Sequence, residues 1–206
     1  MSRDDASPGD AQDARWVKAA RAGSEPAFAR LVSRHQRAVR SFLMRVAANP
    51  ADADDLAQET FLAAWSALAQ LRTPGHFKSW LMGMAWRKAK SQARSAARTS
   101  RRDHDWQSTR AETHTPQPEA VISMRRALME LPDDQRAALA LCAGEGWTHA
   151  DAARILGLPV GTVKSHITRG RARVLAHLDT HVQPETGART SQRTEASRPE
   201  EVASDD

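Results

Sequence analysis

WTHADAARILGLPVGTVKSHITRGRARVLAHL, residues 147–178, divides at Gly157-Leu158-Pro159 into a short helix and a long one. Thr148 is a good N-cap, because its hydroxyl can accept from the unpaired amides of the first turn. Asp151, three residues on, can answer both the cap and the helix dipole. Apolar Ala152, Ala153, Ile155 and Leu156 follow. Gly157 then ends the helix by taking the left-handed conformation that other residues resist, and Pro159 sets the entry to the second helix. In that helix Val163, Ile167, Gly170, Val174 and Leu178 fall at steps of three or four, which makes one buried stripe. Its other faces carry Thr162, Lys164, Ser165, His166, Arg169, Arg171 and Arg173, with no carboxylate before Asp179. A short helix, a tight turn and a longer basic helix are the helix-turn-helix design, whose second helix enters a DNA major groove. The plainer alternative is a solvated basic helix in an all-α bundle.

Working back towards the N-terminus, Asp133-Asp134 open a helix that runs to Gly144 or Gly146, after the Pro132 break. Before it, Val121, Met124, Leu128 and Leu131 describe a short amphipathic helix. Residues 98–118 are polar, lack periodicity and carry Pro116 and Pro118, the marks of a flexible linker, with Trp106 isolated inside it. From about residue 183 the composition is that of a disordered tail. The chain thus divides into an N-terminal tail (1–12), a first helical domain (13–98), a linker (99–118), a second helical domain with the helix-turn-helix (119–181) and a C-terminal tail (182–206). The fold class is all-α, two small helical domains joined by a flexible linker.

In the first domain a helix around 13–22 leads to Gly23, and Ser24 with Pro26 starts a long one. Its stripe is Phe28, Leu31, Val32, His35, Val39, Phe42 and Val46. His35 on that apolar face reads as a satisfied core histidine, since no second ligand sits nearby at helical spacing. After Asn49-Pro50 comes ADADDLAQETFLAAWSALAQL, a helix whose core face would be Phe61, Trp65 and Leu68 with Leu62 and Ala69. Asp52, Asp54, Asp55 and Glu59 crowd its first turns, where the dipole stabilises carboxylates. Asp55, Gln58 and Glu59 share a polar face, which either serves solubility or meets a basic surface elsewhere. The loop 72–76, with Pro74 and Gly75, leads into FKSWLMGMAWRKAKSQARSAARTSRR, where Phe77, Trp80, Leu81, Met84 and Ala85 are core-spaced. Trp86 falls off that stripe beside Arg87, Lys88 and Lys90. It could stack an unpaired base while the cations hold phosphates, or pack on a neighbouring helix.

Charge is uneven along the chain. The formal net value is only +5, yet residues 72–102 hold nine Lys or Arg and no Asp or Glu, while both ends are net acidic. That distribution fits a polyanion-binding body. The single cysteine, Cys142, in the run ALALCA, excludes a disulfide framework and reads as a small hydrophobe. No run approaches a membrane span and MSRDDASPGD lacks a signal peptide's apolar core, so no membrane insertion and a cytoplasmic location are expected. The eight histidines show no metal-ligand spacing, and there is no glycine-rich phosphate loop. No catalytic role, cofactor or metal is expected.

Three stretches in order, DADDLAQETFLAAW (52–65), FKSWLMGMAWRKA (77–89), and LPDDQRAAL (131–139) with LGLPVGTVKSHITRGRARVL (156–175), resemble the extracytoplasmic-function (ECF) sigma factors of bacterial RNA polymerase. The likeness covers roughly residues 14–180. It implies that Asp55, Gln58 and Glu59 dock on the clamp of the largest subunit of core polymerase. It further implies that the loop bearing Arg72 and His76, with Trp86, Arg87, Lys88 and Lys90 beside it, captures the −10 element of promoter DNA as an unpaired strand. Lys164, Ser165, His166, Thr168 and Arg169 would enter the −35 groove, with Arg171 and Arg173 on phosphates. The family often has arginine where this chain has His166, and asparagine where it has Arg87. A neutral imidazole has one donor and cannot make a guanidinium's two-pronged contact. An anti-sigma factor is a further expected partner. The rival reading, a stand-alone helix-turn-helix regulator on operator DNA, uses only the second domain.

Overall fold

The computed structural model describes residues 8–47, 49, 51–102 and 118–181. The C-terminal tail, Trp106 and most of the linker lie outside them. The described residues form eight α-helices and no strand: α1 (Pro8–Arg21), α2 (Glu25–Val46), α3 (Ala51–Ala67), α4 (Phe77–Arg102), α5 (Glu119–Met129), α6 (Asp133–Leu139), α7 (His149–Leu156) and α8 (Val160–His181). Two single 3₁₀ turns, Leu68–Gln70 and Pro74–His76, join α3 to α4. α1 starts earlier than the apolar pattern indicated, because Asp10 suits the first turn of a helix even where nothing is yet buried. α4 runs past residue 98 to Arg102 for a related reason: its Lys, Arg, Gln and Ala residues favour helix without needing a core.

Short-range chemistry behaves as the residue types require. The Ala27 amide donates to the Ser24 hydroxyl, so Ser24 caps α2. The α2 stripe is buried at Leu31, His35, Val39, Phe42 and Val46, with Phe28 and Val32 at its edge. His35 is satisfied by a partner on another helix: its Nε2 lies 2.8 Å from Oδ2 of Asp13 on α1, and both residues are buried. α3 is rotated from the expected orientation. Its buried side is Ala53, Leu56, Thr60, Phe61 and Ala64, while Leu62 is 68% exposed and Trp65 38%. Small residues at steps of three and four let α3 sit close against α2 and α4. That closeness turns Leu62 outward and leaves Trp65 resting on Phe28, ring centroids 4.7 Å apart.

The second half is built around α8, which packs against α5, α6 and α7. The buried side of α5 is confined to its C-terminal end, at Ala127, with Leu131 following. Val121 and Met124 are exposed. α6 ends sooner than its apolar run, and Ala140–Gly144 continues as one wider π turn. Cys142 is half-buried in that turn, packed on the core, and burial together with the nearby Asp151 carboxylate pushes its thiol pKa up. Both halves contribute to one continuous core, which joins Phe42, Phe77, Leu81 and Met82 to Leu141, Ile155 and Val163. α7 lies on α4, and α6 with the π turn lies on α2. Among the described residues no helix is long and apolar enough to cross a membrane.

Candidate nucleic-acid interface

The helix-turn-helix owes its geometry to three residues. The Thr148 hydroxyl accepts from the Asp151 amide at 3.1 Å and donates to the Asp151 carboxylate at 2.6 Å. Burial alone would raise the Asp151 pKa, but bonds from Thr148 and from Arg154 outweigh it and hold the carboxyl below its ordinary range. Gly157 closes α7 with φ of 69°, and the Leu158 amide donates to the Ala153 carbonyl at 3.0 Å, completing a left-handed helix cap. Gly170 sets the depth of α8 against α6, since a Cβ there would lie 2.7 Å from Leu139 Cδ1. Val163, Gly170 and Val174 are therefore inside, with Ile167 and Leu178 half-buried, and the expected stripe holds.

The opposite side of α8 presents Lys164, Thr168, Arg169, Arg171 and Arg173 to solvent, with Ser165 and His166 half-buried. The Thr168 hydroxyl donates back to the Lys164 carbonyl, which leaves its oxygen able to accept. Arg173 reaches to Gln135 Oε1 on α6 at 3.3 Å, so one of its nitrogens is engaged within the fold. Such an exposed row of guanidinium and ammonium groups on one helix can meet phosphates and base edges.

A second basic surface surrounds the 72–76 loop and α4. Arg72 and His76 are exposed on the loop. Arg21, at the end of α1, holds that loop: its Nε donates to the Leu68 carbonyl at 3.0 Å and its Nη2 to the Leu71 carbonyl. Nothing in the residue pattern signals this role, since a cation in a last turn reads as a dipole partner. On α4, Arg87 is exposed and Lys88 and Lys90 are half-buried. Trp86 is buried, at 4% exposure, and Lys90 Nζ lies 5.3 Å from its ring centroid. Lys88 pairs with Glu59 on α3 at 2.9 Å, and Lys90 pairs with Asp134 on α6 at 2.7 Å.

The acidic candidates lie on the exposed side of α3. Asp55, Gln58 and Glu59 are all exposed, and Leu62 continues the same side one turn further on. Asp54, one turn before Gln58, is held by Arg40 of α2. The structure thus brings an acidic face and a basic face edge to edge through Glu59 and Lys88. The row on α8 forms a separate surface. No group of three or more His, Cys, Asp or Glu among the described residues could hold a metal ion.

Residues 31–99 match the family model of Sigma-70 region 2, and residues 122–174 that of Sigma-70, region 4. The ECF RNA polymerase sigma factor SigM of Mycobacterium tuberculosis is 34% identical over 173 residues, covering 82% of this chain and 88% of that protein. Among solved structures, the sigma factor RpoE in complex with the anti-sigma factor NepR from Bartonella quintana aligns with a TM-score of 0.65 and 27% identity. It covers 74% of this chain and 96% of RpoE. CnrH in complex with the cytosolic domain of CnrY aligns with the same TM-score at 29% identity, over 82% of this chain and 98% of CnrH.

Proposed function

Since the chain belongs to the ECF RNA polymerase sigma factors, we propose that its exposed surfaces divide the work of initiation among three contacts. Asp55, Gln58 and Glu59 on α3, edged by Leu62, dock on the clamp of core polymerase. Arg72 and His76 on the loop, with Arg87, Lys88 and Lys90, take the unpaired −10 strand, while Trp86, expected at that contact, is buried beneath Lys90 and backs the surface from inside. Lys164, Ser165, His166, Thr168 and Arg169 read the −35 duplex, where Arg171 and Arg173 hold phosphates. In this reading residues 13–98 and 119–181 are the two working domains, 99–118 is their linker, and the chain performs no bond chemistry. It acts in the cytoplasm, beside polymerase.

The observation that carries the reading is the coexistence of the two basic surfaces and the acidic face of α3 on one chain, in the order of the two family regions. A stand-alone operator-binding regulator would use α5–α8 and leave α1–α4 without work. Melting needs no chemistry. Binding the unstacked strand offsets an unstacking cost of a few kcal/mol (order of magnitude). Each small domain covers little DNA by itself, and tethering both to polymerase raises their effective concentration on one promoter. Both solved relatives are in complexes, RpoE with an anti-sigma factor and CnrH with CnrY, and an anti-sigma factor is proposed as the regulatory partner here.

Run-off transcription with core polymerase on a promoter library tests the function: defined start sites should appear only when this chain is added. Gln58→Ala combined with Glu59→Ala should abolish co-purification with core polymerase and leave −35 duplex binding intact. Unchanged co-purification would reject the assignment of α3.

A further inference from the structure

We propose that the outer face of the α1–α2 hairpin is a phosphate-binding site, which takes the unpaired promoter strand where it runs on from the 72–76 loop. It rests on the assignment of that loop to the −10 strand and extends the strand's path to residues outside that contact. Its ground is a row on one side of α2, off the buried stripe, where Arg30, Arg34 and Arg37 fall at steps of four and three. All three are exposed, and the rise of a helix spreads them over about 10 Å. On α1, Arg15 and Lys18 are exposed as well. The carboxylates of the two helices do not oppose them. Asp13 is buried. Asp10 lies against Gly75 of the loop, where an added Cβ would meet its carbonyl oxygen at 3.8 Å. Glu25 lines a cleft with Phe28, Val32 and Trp65, away from the row.

The centre of the row is built, not merely exposed. The Arg34 guanidinium carbon lies 5.7 Å from the centroid of the Trp16 ring, and its Nε lies 3.5 Å from Asp13 Oδ1. Asp13 is fixed in turn, because its Oδ2 bonds His35. The contact between Nε and Oδ1 is too long for a hydrogen bond, and Oδ1 has no other donor. Ring and carboxylate therefore orient the guanidinium while its N–H groups stay unbonded among the described residues. A planar fork held in place with its donors free suits a pair of phosphate oxygens. Arg30 and Arg37, one turn to either side, bond no side chain among the described residues and add charge along the same line. The buried Asp13 offsets one cation of the five.

Continuity with the loop fixes the occupant. α1 packs on α2 by one side and on the Pro74–His76 turn by another, and its last residue, Arg21, ties the loop down. A strand leaving the loop has one helix to cross before it reaches Arg34, and Arg15 and Lys18 stand on the exposed side of that helix. The strand at the loop is already unpaired, so the same single strand continues onto the hairpin. Phosphate contacts position a strand without reading it. The hairpin thus adds affinity and leaves sequence preference to the loop.

The test uses holoenzyme assembled from core polymerase and the full chain. The probes are labelled single strands: one limited to the −10 segment, and two that extend it by about six nucleotides of mixed sequence to the 5′ or the 3′ side. Wild type should bind one extended strand more tightly than the short one. Raising salt from about 50 to about 200 mM should weaken that strand roughly sevenfold more than the short one, the excess expected from two further phosphate contacts. Arg30→Gln combined with Arg37→Gln should remove the excess and bind the short strand as wild type does. Arg34→Lys keeps the charge and loses the fork, and should weaken the extended strand about threefold with the short strand unchanged. Circular dichroism and co-purification with core polymerase should be the same for every variant. Extensions that add no affinity overturn the proposal, as does a double variant that weakens short and extended strands alike. Loss of co-purification would show that the face meets protein, which overturns it too. If Arg72→Ala combined with His76→Ala leaves binding of the short strand as before, the −10 assignment is at fault and the proposal falls with it. A short strand that responds to the loop while extension gains nothing places the fault in the hairpin site alone.

Discussion

Replacing Arg21 by methionine keeps the aliphatic stem and removes only the guanidinium, which donates to the Leu68 and Leu71 carbonyls just before the 72–76 loop. A hydrogen bond from a charged donor contributes up to ~3 kcal/mol where water is absent. Arg21 reaches solvent, and water would replace much of what is lost, so we take about 1 to 2 kcal/mol for the pair together. If that energy holds the loop in the shape that takes the −10 strand, the variant should lose roughly five- to thirty-fold in strand affinity. The assay is anisotropy titration of holoenzyme with a labelled single strand, beside a thermal melt of the free chain. The melt should fall by only a few degrees, as a loss of this size implies for a chain this long, and −35 duplex binding should not move. A melt that falls as expected with strand affinity unchanged would refute the reasoning. Arg21 would then stabilise the fold without shaping the DNA contact.

Three further outcomes follow from the second half. Gly157→Ala places a side chain where φ is 69° and no other group lies within 4 Å of the new Cβ. The cost is conformational, about 1 kcal/mol after the gain from a stiffer unfolded chain, and a thermal melt that rises would contradict it. Arg169→Ala should lose about 1–3 kcal/mol at one or two −35 positions in competition binding. Equal loss on random duplex would remove its base-reading role. Thr148→Ala should cost about 1 kcal/mol at neutral pH, with a definite pH dependence. The folded Asp151 pKa is depressed, so its contribution is present above the ordinary carboxylate value and lost as pH falls through the folded one. Urea melts of wild type and variant should therefore differ more at pH 7 than at about pH 3, and a gap that widens in acid would show the sign to be wrong.

What could be read from the chain alone was the chemistry acting within a turn or two. Ser24, Thr148 and Gly157 end or begin helices because a hydroxyl three residues away, or a missing Cβ, settles the matter locally. The α2 and α8 stripes were legible because each is buried along one side only. His35 was legible as a core histidine, yet its partner was not, since Asp13 lies 22 residues away on another helix. α3 misled because two of its large residues, Leu62 and Trp65, lie off the buried side that Leu56 and Phe61 share with its small ones. Periodicity weighs Leu62 and Trp65 heavily, while much of the packing beside Leu56 and Phe61 is made by Ala53, Thr60 and Ala64, which carry little apolar signal. The same reversal leaves Leu62 on the side of Asp55 and Glu59, where an apolar residue can serve a docked partner.

Trp86 shows a different limit. A periodic pattern says which side of a helix is covered and is silent about what covers it. α4 has two covered sides: Phe77, Leu81 and Ala85 face the core of the first half, and Met82, Trp86 and Ala89, one residue on, are equally buried. Apolar residues at 81, 82, 85, 86 and 89 make an arc wider than one neighbour needs, so the sequence did hold a trace of a second cover. Its source lay beyond reach, because Lys90 and Asp134 are separated by 44 residues, and Arg45 and Glu145 by 100. Each of these four has an adequate local reading as a dipole partner or a solvated charge. Such pairs become informative only when the fold sets them side by side. Here they do so across the boundary between the two family regions, at the rim of the apolar core that both halves share.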